Sequence, residues 1–479
     1  MIFNSIPFAI FFVCFYLLYW YIANRSLKIQ NALLLFGSYF FYAYWDWRFL
    51  SLLLLVSTST YFSGKYLDNA QSERKKSFVL WANIIGAILI LLYFKYTNFL
   101  ITSFVALLDI LGFKSDLHTL QIILPLGISF YLFRTISYLL DINKGKIKPC
   151  EDATIYFTYV AFFPSLISGP IDRAKLLVPQ LEKERRFDYI QFTDALRQIL
   201  WGLFKKIVVA DNIAVATSQI FEGYLTMSPN ILLLGAIYFS VQLYADFSGY
   251  SDMAIGCARL LGLNITKNFD YPFFSQNIAE FWRKWHISLT SWLTEFIFTP
   301  ITIKLRDYEK LSLAVGIITT FLISGLWHGA NWTFVVWGLL YGIYYVPSII
   351  RGTMLSKKKK TKTLTLGQHF VFYVNMIGLF LLVSVTNVLF KATSLSQGFG
   401  YIQRMWSTET LHFPMLYKAQ MPFVVILFGI EWLQRDMHHG LQSLGLKWPT
   451  PVRWLFYFVL MALIFIYNSK EQQFIYFQF

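Results

Sequence analysis

Charge is scarce in this chain. Only 14% of its 479 residues are Asp, Glu, Lys or Arg, about half the share of an ordinary soluble domain. The longest polar connection, Ile171 to Asp194, holds only a surface excursion, and no internal repeat is evident. A separate soluble domain is therefore excluded, and residues 1–479 read as a single membrane-embedded domain. Cysteine is sparse too. Cys14, Cys150 and Cys257 lie far apart with no metal-ligand spacing, so neither a disulfide framework nor a zinc site is expected, and no other metal. Alternating strand-like segments are missing, which excludes a membrane β-barrel. A Gly-x-Ser-x-Gly nucleophile elbow is also missing, so a serine-hydrolase reading has no support.

What the chain has instead is apolar surface: 56% hydrophobic residues, 19% aromatics and a mean hydropathy of +0.51. A spanning helix needs about 20 apolar residues. Candidates recur near 5–23, 30–45, 49–64, 77–93, 98–113, 120–140, 153–168, 195–216, 230–246, 311–327, 332–350, 368–390, 419–433 and 452–468. Several are short or carry charge, so about eleven true spans are expected, with re-entrant or interfacial helices besides. Backbone groups in lipid must bond internally, which makes an all-α polytopic bundle the expected fold. The first stretch lacks a basic leader and a good cleavage site, and reads as a retained first span.

The net charge of +15 gathers at Arg74-Lys75-Lys76, Lys144 to Lys148, Lys183 to Arg186, Lys205-Lys206 and Lys357 to Lys360. Basic connections of this kind favour the cytoplasmic side and acidic lipid headgroups. Membrane lipids are thus expected partners and nucleic acid is not. Lys205, Lys206 and the Lys357 to Lys360 loop are, by charge alone, candidates to attract an anionic cytoplasmic substrate.

Polar residues that loops do not explain cluster between Pro125 and Asn331. His328 stands within Ser324-Gly325-Leu326-Trp327-His328-Gly329-Ala330-Asn331-Trp332, inside an otherwise apolar stretch from Leu311 to Ile350. An ionisable group at bilayer depth costs on the order of 2.5–3.5 kcal/mol and marks a functional site by default. Gly325 and Gly329 are expected to permit close approach of backbone or substrate to it, and Asn331 to orient a ring or polarise a carbonyl. In Phe281 to Leu293, Trp282, Trp285, Leu289 and Trp292 share one face of a continuous amphipathic helix, with His286 on the apolar side as a core or substrate-contacting residue. Glu280 and Lys284 are spaced for a helix ion pair. Asp246, Ser248, Tyr250 and Asp252 in Asp246-Phe247-Ser248-Gly249-Tyr250-Ser251-Asp252 suggest a broken helix lining a polar cavity. Acid/base chemistry and plain helix-to-helix ion pairing are both open there. Pro125-Leu126-Gly127 and Ser168-Gly169-Pro170 are further breakers.

Together, Pro125 to Phe130, Asp246 to Asp252, Phe281 to Ser288 and Ser324 to Ala330 resemble the membrane-bound O-acyltransferase family, closest to its bacterial alginate O-acetyltransferase-like branch. The resemblance implies helices around a central funnel or tunnel, with His328 as principal catalytic residue and His286 as a second histidine. Trp282, Trp285, Trp327 and Asn331 then support the site with Asp246, Ser248, Tyr250 and Asp252. It implies acetyl-CoA as a cytoplasmic donor, with no permanently bound cofactor, and a cell-envelope polysaccharide such as an alginate-like exopolymer or peptidoglycan as acceptor. It also implies an SGNH-hydrolase-like partner transferase and a multi-pass place in the bacterial cytoplasmic membrane. An Arg-Asp-Tyr element expected after the tryptophan-rich helix is replaced at that place by Leu293 to Pro300, where Glu295 is the acidic residue. A protein- or lipid-directed acyltransferase and a solute or ion transporter are the other readings open to the residues.

Overall fold

The computed structural model describes residues 1–115, 117–352, 366–407, 415–468 and 474–475, and every extended regular element among them is helical. Among the described residues, seven stretches are long and apolar enough to cross a membrane: Ile6–Arg25, Glu73–Ile110, Pro229–Leu260, Arg306–His328, Trp332–Ile350, Gly367–Lys391 and Thr450–Tyr467. The protein is therefore an all-helical polytopic membrane protein. The helices Leu27–Asp46 and Arg48–Asn69 are as long but bury Gln30, Asn31, Ser38, Ser57 and Thr60. Of the shorter expected spans, 419–433 is the 13-residue helix Met421–Leu433, below the length a bilayer needs. The expected span 120–140 starts only at Ile128, because Gly127 ahead of it takes a left-handed conformation (φ 72°).

The chain divides into two compact units, Met1–Ile199 with Met253–Thr266, and Leu200–Asp252 with Lys267–Phe479. The first is organised by buried arginines. The expected span 153–168 breaks after Ala161, where Phe162 leaves helical geometry (ψ 104°), and frees carbonyls that need partners. The Arg134 guanidinium supplies them, donating to the oxygens of Tyr159 (2.8 Å) and Val160 (3.0 Å) and to Ser165 Oγ (2.8 Å). Arg173 pairs with buried Asp141 at 2.7 Å. The first breaker motif packs against the residues just ahead of the second: a side chain on Gly127 would strike the Leu166 carbonyl and Ile167.

In the second unit the helices Glu309–His328 and Trp332–Ile350 form a tight hairpin. A Cβ on Gly325 would overlap the Phe334 carbonyl, and one on Gly338 the Phe321 carbonyl. Small residues let helix backbones approach in a membrane protein. At Gly325 the close approach is thus that of backbone across the helix crossing, and Gly329 is closed off by the Phe334 ring. Lys205 and Lys206 also depart from the sequence reading. They lie in a widened helical turn, Phe204–Ala210, not in a connection, and both are buried. Their ammonium groups answer acidic residues of the same unit, so they are not free to attract a soluble anion. The Lys357 to Lys360 loop lies outside the described residues.

Candidate active site

All ten sequence-predicted site residues fall in the second unit. Asp246, Ser248, Tyr250 and Asp252 lie on one unbroken helix of 32 residues, Pro229–Leu260, where the sequence suggested a break. Gly249 provides close approach instead: a Cβ there would lie 2.8 Å from the Gly202 carbonyl and 3.1 Å from the Lys206 nitrogen. That proximity brings the lysines to the carboxylates. Lys206 Nζ is 2.8 Å from both Asp211 and Asp246, and Lys205 Nζ is 2.7 Å from Asp252. The second Asp246 oxygen accepts the Ile475 N–H at 2.8 Å, and Tyr250 packs on Phe474 with ring centroids 4.9 Å apart. Tyr244, one turn earlier, donates to the buried Glu431 carboxylate at 2.9 Å. Ser248 Oγ is buried without a hydrogen-bond partner among the described residues.

The tryptophan-rich segment is two helices, Ile278–Lys284 and Ile287–Leu293, where a single continuous one was expected. Asn277 caps the first, accepting the Glu280 N–H at 2.9 Å, and the expected Glu280–Lys284 pair closes at 3.0 Å. At the break Trp285 is extended (φ −103°, ψ 127°) and His286 is left-handed (φ 44°, ψ 54°). That costs a non-glycine residue about 1–2 kcal/mol. The break persists because Asn268 and Asp270 hold both edges. The Asp270 N–H donates to the Lys284 carbonyl (3.0 Å) and the Ile287 N–H to the Asn268 carbonyl (2.9 Å). The Asn268 side chain accepts from Ser288 Oγ (2.7 Å) and donates to Ser251 Oγ (3.2 Å), tying the break to the Asp246 helix.

This aims His286, fully buried, against Phe247 (centroids 4.7 Å) and Trp327 (5.8 Å). Burial pushes its imidazole down to about 3, so it is neutral at physiological pH. Trp327 in turn touches His328 (5.0 Å), and one indole therefore lies against both histidines.

His328 ends its helix inside an aromatic box. Trp337 and Phe390 pack edge-on against it at 5.2 Å each. The space beside it, about 10 Å³, is bounded by Leu243, Phe281, Trp282, Trp285, Trp337, Tyr341, Asn387 and Phe390. That is room for about one water. Asn387 accepts the Trp337 indole N–H (3.2 Å) and donates to Ser240 Oγ (3.0 Å), fixing the wall. Asn331 lies outside this lining. It caps the helix Trp332–Ile350, accepting the Thr333 N–H at 3.0 Å, and donates to the Thr393 carbonyl at 3.0 Å.

Asn268, Asn387, Phe390 and Glu431 were not singled out by the sequence. Asn387 carried a usable signal, an amide inside the apolar stretch 368–390. The Arg-Asp-Tyr triplet thought missing is present further along, at Arg306–Tyr308, in a turn where Arg306 and Asp307 are exposed.

An imidazole beside a small enclosed space can take the proton of a hydroxyl, and proteins with acyltransferase names match this chain. The family model for the membrane-bound O-acyltransferases covers residues 152–386. A probable alginate O-acetylase of Azotobacter vinelandii is 34% identical over 88% of this chain and 81% of its own length. Another from Pseudomonas putida is 32% identical over the whole of both. The peptidoglycan O-acetyltransferase of Helicobacter pylori is 31% identical over 93% of this chain and 91% of its own. The chain belongs to the membrane-bound O-acyltransferase family and is an acyltransferase.

Proposed function

We propose that this enzyme takes acetyl from cytoplasmic acetyl-CoA and passes it across the bacterial inner membrane for O-acetylation of a cell-envelope polysaccharide, alginate-like or peptidoglycan. The observation that carries this reading is His328 in a nearly closed aromatic box with space for one small group. The names of the relatives, O-acetylases of alginate and of peptidoglycan, support the acceptor class. About eleven spans around a central funnel, with donor and acceptor reaching His328 from opposite sides, complete the reading.

His328 acts as general base. The acceptor hydroxyl gives its proton to the imidazole as its oxygen attacks the thioester carbonyl. The new C–O bond forms, the C–S bond breaks, and the thiolate takes the proton back. A direct transfer needs no covalent acyl-histidine. The aromatic walls keep water from the thioester. His286 lines the acceptor path, and an SGNH-hydrolase-like transferase on the far side completes delivery to the polymer.

The test is acetyl-labelled CoA supplied to inside-out membrane vesicles, with label followed into polymer ester, beside a solute-flux assay on liposomes holding the purified protein. Ester labelling that depends on the protein supports the reading. Flux without transfer overturns it.

A further inference from the structure

The space beside His328 has a much larger neighbour. A chamber of about 200 Å³ in the same unit is bounded by Arg283, Leu289, Leu293, Phe298, Ile317 and Tyr345 among others. Trp282 lines both spaces, as the only residue common to the two linings. Its indole stands edge-on to Phe321 (4.9 Å) and Tyr341 (5.0 Å) and is wedged against Trp337 (5.9 Å). Phe321 belongs to the wall of the large chamber, and Tyr341 and Trp337 to that of the small one, so the indole is the partition between them.

Two further observations bear on what the partition does. The Trp282 Nε1 is buried and makes no hydrogen bond among the described residues, so its place rests on the bulk of the ring. The three threonine hydroxyls around the large chamber are already used: Thr290 donates to the Trp285 carbonyl (3.1 Å), Thr294 to the Thr290 carbonyl (2.7 Å) and Thr320 to the Gly316 carbonyl (2.6 Å). With those donors satisfied by backbone, the chamber presents a mainly apolar surface to whatever enters it.

We infer that Trp282 sets the length of the acyl group this enzyme transfers, by closing the one-water space beside His328 against an apolar chamber that would hold a longer chain. A methyl group is about the size of a water, so an acetyl tail fits the small space and each added methylene meets the indole. The bonds made and broken are unchanged by chain length: C–O forms, C–S breaks, and the acceptor proton ends on the thiol. The inference rests on the acyl-CoA reading above.

The experiment compares acetyl-, propionyl-, butyryl- and octanoyl-CoA as donors, using inside-out membrane vesicles that carry the full chain and its native acceptor, with acyl ester in the polymer and free CoA thiol both measured. For the wild type, kcat/KM falls about 10- to 200-fold from acetyl to propionyl, the range for one methylene against a closed apolar wall, and octanoyl transfer is absent. Trp282→Ala joins the two spaces and raises the octanoyl-to-acetyl ratio by at least about 10-fold. Adding Ile317→Trp refills the chamber and removes that gain. Leu243→Ala, which widens the small space away from the partition, admits propionyl but not octanoyl.

Should Trp282→Ala fail to insert, Trp282→Leu retains part of the bulk and still raises the butyryl-to-acetyl ratio. Equal use of acetyl and octanoyl by the wild type overturns the inference while leaving the enzyme reading intact, as does an unchanged ratio in an inserted Trp282 variant. No transfer from any thioester overturns the reading on which it rests.

Discussion

Two buried regions of the second unit handle polar groups in opposite ways. Around Asp246 each charge is answered by a charge: Lys206 bridges Asp211 and Asp246, and Lys205 meets Asp252. Around His328 the neighbours are rings, with Trp327, Trp337 and Phe390 within 5.2 Å. Ions in a low-dielectric interior persist only when paired, and removing one partner strands the other. His328 is instead enclosed by aromatic edges. Substitutions in the two regions should therefore fail in different ways.

The largest effect on folding is expected from Lys206→Met. It leaves Asp211 and Asp246 facing each other without their cation, and should cost about 3–5 kcal/mol. Thermal unfolding in detergent and the yield of inserted protein measure it. The double variant Lys206→Met with Asp246→Asn should recover part of the loss. A single variant as stable as the wild type would mean the cluster does not hold these helices.

How the two regions were encoded differs as well. The all-helical membrane fold was legible from hydropathy, and the aromatic motif around His328 from its own residues, because both signals are local. The burial of Lys205 and Lys206 was not legible. A pair of lysines reads as a connection until three aspartates from other turns are brought to it. The break at His286 was hidden for the same reason: the heptad-like tryptophans read as one helix, and the groups that interrupt it, Asn268 and Asp270, come from a preceding segment. Phe390 and Asn387 sit on a helix that reads as a plain apolar span, so their part in the box depends on which face is turned inward.

Next in size is Asn268→Ala, which removes the side-chain bonds to Ser288 and Ser251 at about 1–3 kcal/mol. Because Asn268 shapes the break that aims His286, transfer should fall further than stability alone explains. Activity assayed well below the melting temperature separates the two. Normal turnover in a destabilised variant would reduce Asn268 to a structural tie.

His286 gives an effect that is small at neutral pH and grows on acidification. Its ordinary value near 6.5 falls to about 3 in the folded protein. Between those values the unfolded chain binds a proton that the folded one does not, so stability rises with pH across the window and is lost on acidification, by up to about 1.4 kcal/mol per pH unit. His286→Asn tolerates the left-handed backbone and should flatten this dependence. An equal slope in both proteins would place the titrating group elsewhere.

His328 as the proposed base should matter for transfer and little for stability. The most direct measurement is the rate of acetyl ester formation in vesicles holding equal amounts of wild type and His328→Ala, with the melting temperature of each purified protein. The rate should fall at least about 100-fold while the melting temperature stays within a few degrees of wild type. Transfer at the wild-type rate, or a loss that simply follows unfolding, would contradict it.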